Sequence, residues 1–225
     1  MTLLKKLPKV VVFDFNGTLL DDLHVAYGSV QELFKTYSIP CPTLEQFREE
    51  ISSDFMEFYF RHGFLRPTTK NELEMLVTGL QTIRRSFYRV NEDHARIRVD
   101  APRTISRLLV KGFYVAIVSA EKGATLYRYL VKSGLQRQFD CIMSGAWGYG
   151  AKKNALLEIG EIFRTHPADL IYIDDTVDGL SSARDAGVVP VAFTNSTGYH
   201  PSHRLMEITN LNINEISELE ELLKV

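Results

Sequence analysis

Asp14-Phe15-Asn16-Gly17-Thr18, Ser119-Ala120, Lys152-Lys153 and Asp174-Asp175-Thr176-Val177-Asp178 set reactive side chains at or just beyond the ends of short apolar runs in this 225-residue chain. An aspartate, a hydroxyl, an ammonium and a carboxylate pair therefore arrive in series. Each has a plain structural alternative. Asn16-Gly17 is a strong turn signal, Asp175 suits the cap of a helix beginning near Val177 with Asp178 in its first turn, Ser119 suits another cap, and Lys153 a solvated helix start. Chance capping does not account for all of them in that order. The chemistry to which they point is ionic. Asp14, Asp174, Asp175 and Asp178, gathered at one mouth, admit a dianionic phosphate only across a hard cation, and Mg²⁺ with one or two carboxylates plus substrate oxygens is the usual answer.

Positioning such groups requires a scaffold whose strand ends converge. Residues 9–14 form a continuous apolar run ending in an aspartate, the signature of a strand buried on both faces. Similar runs recur at Phe113–Val118, Cys141–Met143, Leu170–Ile173 and Val188–Phe193. Helical patterns lie between them: Ile105, Leu108 and Leu109 before Gly112; Leu126, Leu130 and Val131 before Gly134; Leu156, Ile159 and Phe163; and Leu180 to Ala186 before Gly187. The alternation predicts an α/β fold, a Rossmann-like parallel sheet with helices on both faces. Ligands bind such sheets at the carboxyl ends of the strands, at a topological switch point.

Residues 20–98 break the alternation. Leu23, Ala26, Tyr27, Val30, Leu33, Phe34 and Tyr37 share one helical face, and Thr69-x-x-Glu72 is a capping box before the stripe Leu73, Leu76, Val77, Leu80, Ile83 and Phe87. Phe55, Phe58, Tyr59, Phe60 and Phe64 read as the core of a small helical bundle. The expected organisation is a core of residues 1–19 and 99–225 with an inserted α-helical cap over 20–98.

Composition narrows the function classes. With 45% apolar and 24% charged residues the chain can build a sizeable core, and a formal charge of -2 leaves no electrostatic footprint for nucleic acid or an anionic membrane. Cys41 and Cys141 fit neither a disulfide framework nor a close-spaced zinc site, and no apolar run is long enough to span a bilayer, so a cytoplasmic setting is expected. His94, His200 and His203 read as hinge or solvated-loop residues, and Trp147 either as a loop residue shaping a substrate entrance or as a loop tryptophan packed on the domain surface. Gly145 to Lys152 approaches a P-loop pattern but has Ala151 at the lysine position and Lys153 where a hydroxyl is needed. Ile216, Leu219, Leu222 and Leu223 form a short amphipathic helix expected to pack on the core.

VVVFDFNGTL at 10–19, VAIVSA at 115–120, KNALLEI at 153–159 and LIYIDDTVDGLSSARDAG at 170–187 together resemble the haloacid dehalogenase superfamily of hydrolases, within it the phosphoglycolate-phosphatase-like group with a helical cap after the first strand. The resemblance implies a phosphatase acting on a small phosphorylated metabolite, with Asp14 as the nucleophile that forms an aspartyl-phosphate. It implies phosphate binding by Ser119 and the backbone N–H of Ala120, charge compensation by Lys153, Mg²⁺ held by Asp14, the carbonyl of Asn16, Asp175 and water, and a lid role for the cap. Two departures from the pattern stand out, one at Asn16 and one spanning Asp174 and Gly179. Asn16 replaces the aspartate that protonates the leaving oxygen and later activates water; an amide cannot transfer that proton. Asp174 stands where a glycine is usual, and Gly179 where a second acid is usual, so Asp174 or Asp178 is the substitute to look for. A second reading follows from Asn16: a degenerate member that binds a phosphorylated ligand or a protein and turns over little.

Overall fold

Val10–Phe13 is a run of four fully buried residues, three of them β-branched, and forms strand β1. The structure is a computed structural model that describes residues 9–52, 54–146, 148 and 150–225; Trp147 lies outside the described residues. After β1 the chain makes a tight loop into β2 (Leu20–Asp21) and then four helices, α1 (Leu23–Thr36), α2 (Leu44–Glu50), α3 (Phe55–Arg61) and α4 (Lys70–Asn91). It returns through β3 (Arg96–Ile97), which pairs antiparallel with β2. There follow α5 (Ala101–Val110), β4 (Tyr114–Val118), α6 (Gly123–Lys132), β5 (Cys141–Met143), α7 (Ala151–Ile162), β6 (Leu170–Asp174), α8 (Val177–Asp185) and β7 (Val189–Phe193). A short helix α9 (Ser202–Met206), a two-residue strand β8 (Asn212–Ile213) and a final turn α10 (Leu219–Leu222) complete the chain.

Six strands form one parallel sheet in the order β5-β4-β1-β6-β7-β8, with β1 central. Phe13 is in register with Ile117 on one side and Ile173 on the other. Successive strand side chains alternate between faces. Val10, Val12, Ala116, Val118, Leu170 and Tyr172 pack with Ala155, Leu156 and Ile159 of α7 and Ala183 of α8. The intervening Val11, Phe13, Val115, Ile117, Ile171 and Ile173 are also fully buried, as a sheet covered on both faces requires. Gly112, Gly134 and Gly187 follow their helices in the left-handed conformation expected of C-terminal caps. β8 has no counterpart in the sequence reading, because two residues are too short a run to show a period. Ile216, Leu219, Leu222 and Leu223 are buried, as expected of the C-terminal helix.

The chain divides into two compact units. One contains the sheet and takes the chain up to Asp21 together with Arg96–Val225; the other is Asp22–Ala95. The helical unit is narrower than 20–98 because residues 20–21 and 96–97 pair with each other as a ribbon counted with the sheet. Inside it Phe34, Phe47, Phe58, Tyr59 and Phe64 are buried, with Phe34 and Phe64 edge to face at 5.1 Å. Phe55 and Phe60 are only half-buried. The Thr69–Glu72 capping box is present, and α2 has a second one at Thr43–Gln46. Among the described residues no helix is long and apolar enough to cross a membrane.

Ile117 on β4 faces the side of the sheet opposite α7, with no exposure. Ile117→Ala is expected to lower unfolding free energy by about 2–5 kcal/mol in a denaturant titration, the usual cost of truncating a fully buried isoleucine.

Candidate active site

Because Phe13, Ile117 and Ile173 are level across three adjacent strands, the residues just beyond them emerge together at the carboxyl edge of the sheet. Asp14 follows β1, Asp174 ends β6 and Asp175 follows it. Each offers a carboxylate oxygen within 4.8 Å of the others, and all three are buried, Asp174 and Asp175 completely. Among the described residues this is the group of acidic or histidine side chains suited to a metal ion. Asp178, expected at the same mouth, is not part of it; it sits in the first turn of α8.

The ammonium that meets these carboxylates belongs to Lys152. Its Nζ donates to Asp14 Oδ1 at 2.9 Å and to Asp174 Oδ2 at 2.7 Å. Lys153, assigned to this place from the sequence, makes neither contact. The reason is helical phase: Lys152, Leu156 and Ile159 lie at i, i+4 and i+7 on the buried face of α7, whereas Lys153 shares its side with the exposed Leu157. The stripe Leu156, Ile159 and Phe163 carried that signal in the sequence.

Tyr172 and Tyr199 also reach the site and were not singled out from sequence. Tyr172 lies two residues before Asp174, on the same face of the sheet. Its hydroxyl, with one proton to share, lies 3.3 Å from Asp14 Oδ1 and 3.2 Å from the Val118 carbonyl. Thr18 donates to Asp175 Oδ1 at 2.8 Å, and the Tyr199 N–H to Asp175 Oδ2 at 2.6 Å. Asp175 is thus held from two loops and does not cap α8; Thr176 does, accepting from the Gly179 N–H. His200 is buried rather than solvated. Its Nδ1 accepts from the Val177 N–H at 2.9 Å, and its backbone N–H donates to the Asp175 carbonyl at 3.2 Å. His203 is exposed, as expected.

Ser119 follows β4, fully buried, and its Oγ accepts from the Glu121 N–H at 3.0 Å instead of capping α6. Ala120 is half-buried beside it. Asn16 lies in the loop after Asp14, half-buried, and that loop closes through Gly17 N–H to the Leu20 carbonyl and Leu20 N–H to the Phe15 carbonyl, both 2.8 Å. Gly17 has φ +78°, and a Cβ there would overlap the Asp175 carboxylate. Gly179 answers the same need at Asp174. A Cβ on residue 179 would overlap that carboxylate, whose Oδ1 also accepts from the N–H and hydroxyl of Thr176.

With all three ionised, the buried carboxylates outnumber the one ammonium by two charges, which a divalent cation would balance. Burial, opposed by Lys152 and reinforced by Asp174 and Asp175, pushes Asp14 up to about 8. Burial and the charge of Asp174 push Asp175 up to about 7, against the pull of the Tyr199 N–H and the Thr18 hydroxyl. For Lys152 burial works against the charge, but Asp14 and Asp174 outweigh it and raise the value. Hard oxygen donors with uncompensated charge fit Mg²⁺.

The model of the family described as haloacid dehalogenase-like hydrolase matches residues 11–193, from β1 to the end of β7. The chain belongs to the haloacid dehalogenase-like hydrolases. A phosphoglycolate phosphatase of Thiobacillus denitrificans is 23% identical to this hydrolase over 202 residues, 89% of this chain and 88% of that protein. A haloacid dehalogenase-like hydrolase from Streptococcus pneumoniae superposes with a TM-score of 0.73 at 17% identity, covering 95% of this chain and 97% of that one. CbbY from Rhodobacter sphaeroides, solved in complex with phosphate, gives 0.70 at 13% identity over 97% and 100% of the two chains.

Two outcomes are expected. Both acid shifts are upward from 3.8, so the metal-free fold holds protons that the unfolded chain releases, and this contribution to stability is lost as pH rises from about 4 through 7–8. Thermal melts in chelator should therefore show falling stability over that window, with Mg²⁺ stabilising the protein more at pH 8 than at pH 5; equal stabilisation at both refutes it. Gly179→Ala should lower the melting temperature markedly, and the same change in an Asp174→Gly background should cost little, a coupling readable in a double-mutant cycle.

Proposed function

We propose that this hydrolase is a Mg²⁺-dependent phosphatase of small phosphate monoesters that works through an aspartyl-phosphate on Asp14. The observation that carries the reading is the Asp14 carboxylate itself, buried at the end of the central strand and bonded through Oδ1 to both Lys152 and Tyr172. Oδ1 is engaged, so Oδ2 is the oxygen assigned to attack phosphorus. The phosphorus–ester oxygen bond breaks as the acyl-phosphate bond forms, and water then returns Asp14 and releases phosphate. Asp14, Asp175 and the carbonyl of Asn16 would hold Mg²⁺, which when bound offsets charge on the phosphoryl oxygens. Lys152 takes the compensating role first assigned to Lys153, and Ser119 with the Ala120 N–H is the proposed phosphate-oxygen site. The lid role of the helical unit rests on its insertion after β1.

Asn16 sets the substrate preference. The departing ester oxygen gains a proton most readily from a positioned acid, and an amide has none to give; general acid–base catalysis is typically worth about 10²–10⁴-fold. Leaving groups that depart without protonation are therefore favoured. The same residue supports the second reading, a binding module with little turnover.

Phosphate release with and without Mg²⁺ on a panel holding an aryl phosphate, alkyl phosphates and phosphoglycolate, the last chosen for the name of the Thiobacillus relative, tests the proposal. The aryl phosphate should be the best substrate, Asp14→Asn should abolish turnover, and Asn16→Asp should raise kcat on alkyl esters by about 10²–10⁴-fold. Turnover that survives Asp14→Asn sinks the covalent mechanism. A natural protein inert on every substrate and woken by Asn16→Asp favours the binding module.

A further inference from the structure

Arg98 is a buried cation outside the chemistry described so far. It directly follows β3, on the stretch that runs from the ribbon to α5, and its side chain is 8% exposed. Nε donates to the Thr18 carbonyl at 2.7 Å and Nη2 to the Gly17 carbonyl at 2.8 Å. Its backbone N–H donates to the Leu19 carbonyl at 2.9 Å. One residue therefore takes three successive carbonyls of the loop that follows Asp14. The guanidinium lies 4.6 Å from the centroid of the Phe193 ring, at the end of β7, and Nη1 is 3.7 Å from Asp21 Oδ2.

Burying a guanidinium is costly unless its donors are met. Here they are met chiefly by peptide oxygens, so the cation is spent on fixing backbone. That backbone carries the partners of Asp175. Thr18, whose carbonyl Arg98 holds, donates its hydroxyl to Asp175 Oδ1, and Gly17, whose carbonyl Arg98 also holds, packs so closely on the Asp175 carboxylate that a Cβ there would overlap it. The carbonyl of Asn16 is one residue upstream. A shift of the 17–19 backbone would move both supports of Asp175 together.

We propose that Arg98 is a positioning residue for Asp175, holding that carboxylate in place for the cation through the carbonyls of residues 17–19 and the hydroxyl of Thr18. The inference rests on the reading of Asp14 and Asp175 as Mg²⁺ ligands. A lysine cannot stand in, because an ammonium on a flexible stem lacks the planar fork that reaches two neighbouring carbonyls at once. Partners that orient metal ligands typically change metal affinity by about 10–100-fold when lost.

The test compares the natural chain with Arg98→Lys, Arg98→Met and Asp21→Asn by Mg²⁺ titration calorimetry, thermal melting and hydrogen exchange at the Gly17 and Leu20 amides. Arg98→Met keeps an apolar stem beside Phe193 and is read in place of Arg98→Lys if the lysine variant fails to fold. Expected are an affinity for Mg²⁺ lower by about 10-fold or more in the Arg98 variants, faster exchange at both amides, and an affinity within about twofold of natural in Asp21→Asn, well under that loss. A lower melting temperature with unchanged Mg²⁺ affinity makes Arg98 merely structural and overturns the proposal while leaving the proposed function standing. An Asp21→Asn loss as large as that of Arg98→Lys assigns the effect to the ion pair and overturns it too. A natural protein that does not bind Mg²⁺ overturns both the inference and the reading beneath it.

Discussion

The ammonium of Lys152, shared between Asp14 and Asp174, is the interaction to which the rest of the site is tied. Two buried carboxylates side by side repel each other in a medium that screens poorly, and one cation between them makes the arrangement tenable. Removing one partner of such a buried pair typically costs about 3–5 kcal/mol, because the other charge is left without compensation. The contact makes demands on distant elements. α7 must pack at one rotational phase so that Lys152 shares the face of Leu156 and Ile159. β1 and β6 must keep the register Phe13 to Ile173, since a slip of one residue would send Asp14 or Asp174 to the wrong face.

Asp175 is governed differently. Among the described residues its carboxylate makes no ion pair like those of its two neighbours; it is held by uncharged donors, the Thr18 hydroxyl and the Tyr199 N–H, supplied by segments far apart in sequence. His200 extends the grip, joining the Asp175 carbonyl to the first turn of α8. Uncharged donors orient a carboxylate without cancelling its charge. The site thus divides into a side paired with Lys152 and a side at Asp175 held by neutral donors, and the proposed Mg²⁺ would balance the second.

The scaffold was legible because its signals are local. Apolar runs of three to six residues alternating with helical stripes mark five of the six parallel strands, and the sixth, Asn212–Ile213, is too short to carry a pattern. The aspartates were legible for the same reason, standing at the ends of those runs. What escaped depends on phase and on contacts between distant residues. Lys152 and Lys153 differ by about 100° around a helix, and that difference decides which one reaches Asp14. His200 looked like a loop residue because its loop is polar; its burial comes from folding over Asp175, 25 positions earlier. Arg98 meets Gly17 and Thr18 across some eighty residues of intervening helices, a separation at which no periodicity speaks.

The overlap between a side chain at position 179 and the carboxylate of Asp174 makes the two positions a single unit of change. Neither residue can be exchanged as though the other were absent. A lineage carrying Asp174 is barred from placing an acid at 179 until the first carboxylate is surrendered, and surrendering it leaves Lys152 paired with Asp14 alone. The passage between the two arrangements therefore has a fixed order, in which the carboxylate at 174 is given up before a side chain enters at 179.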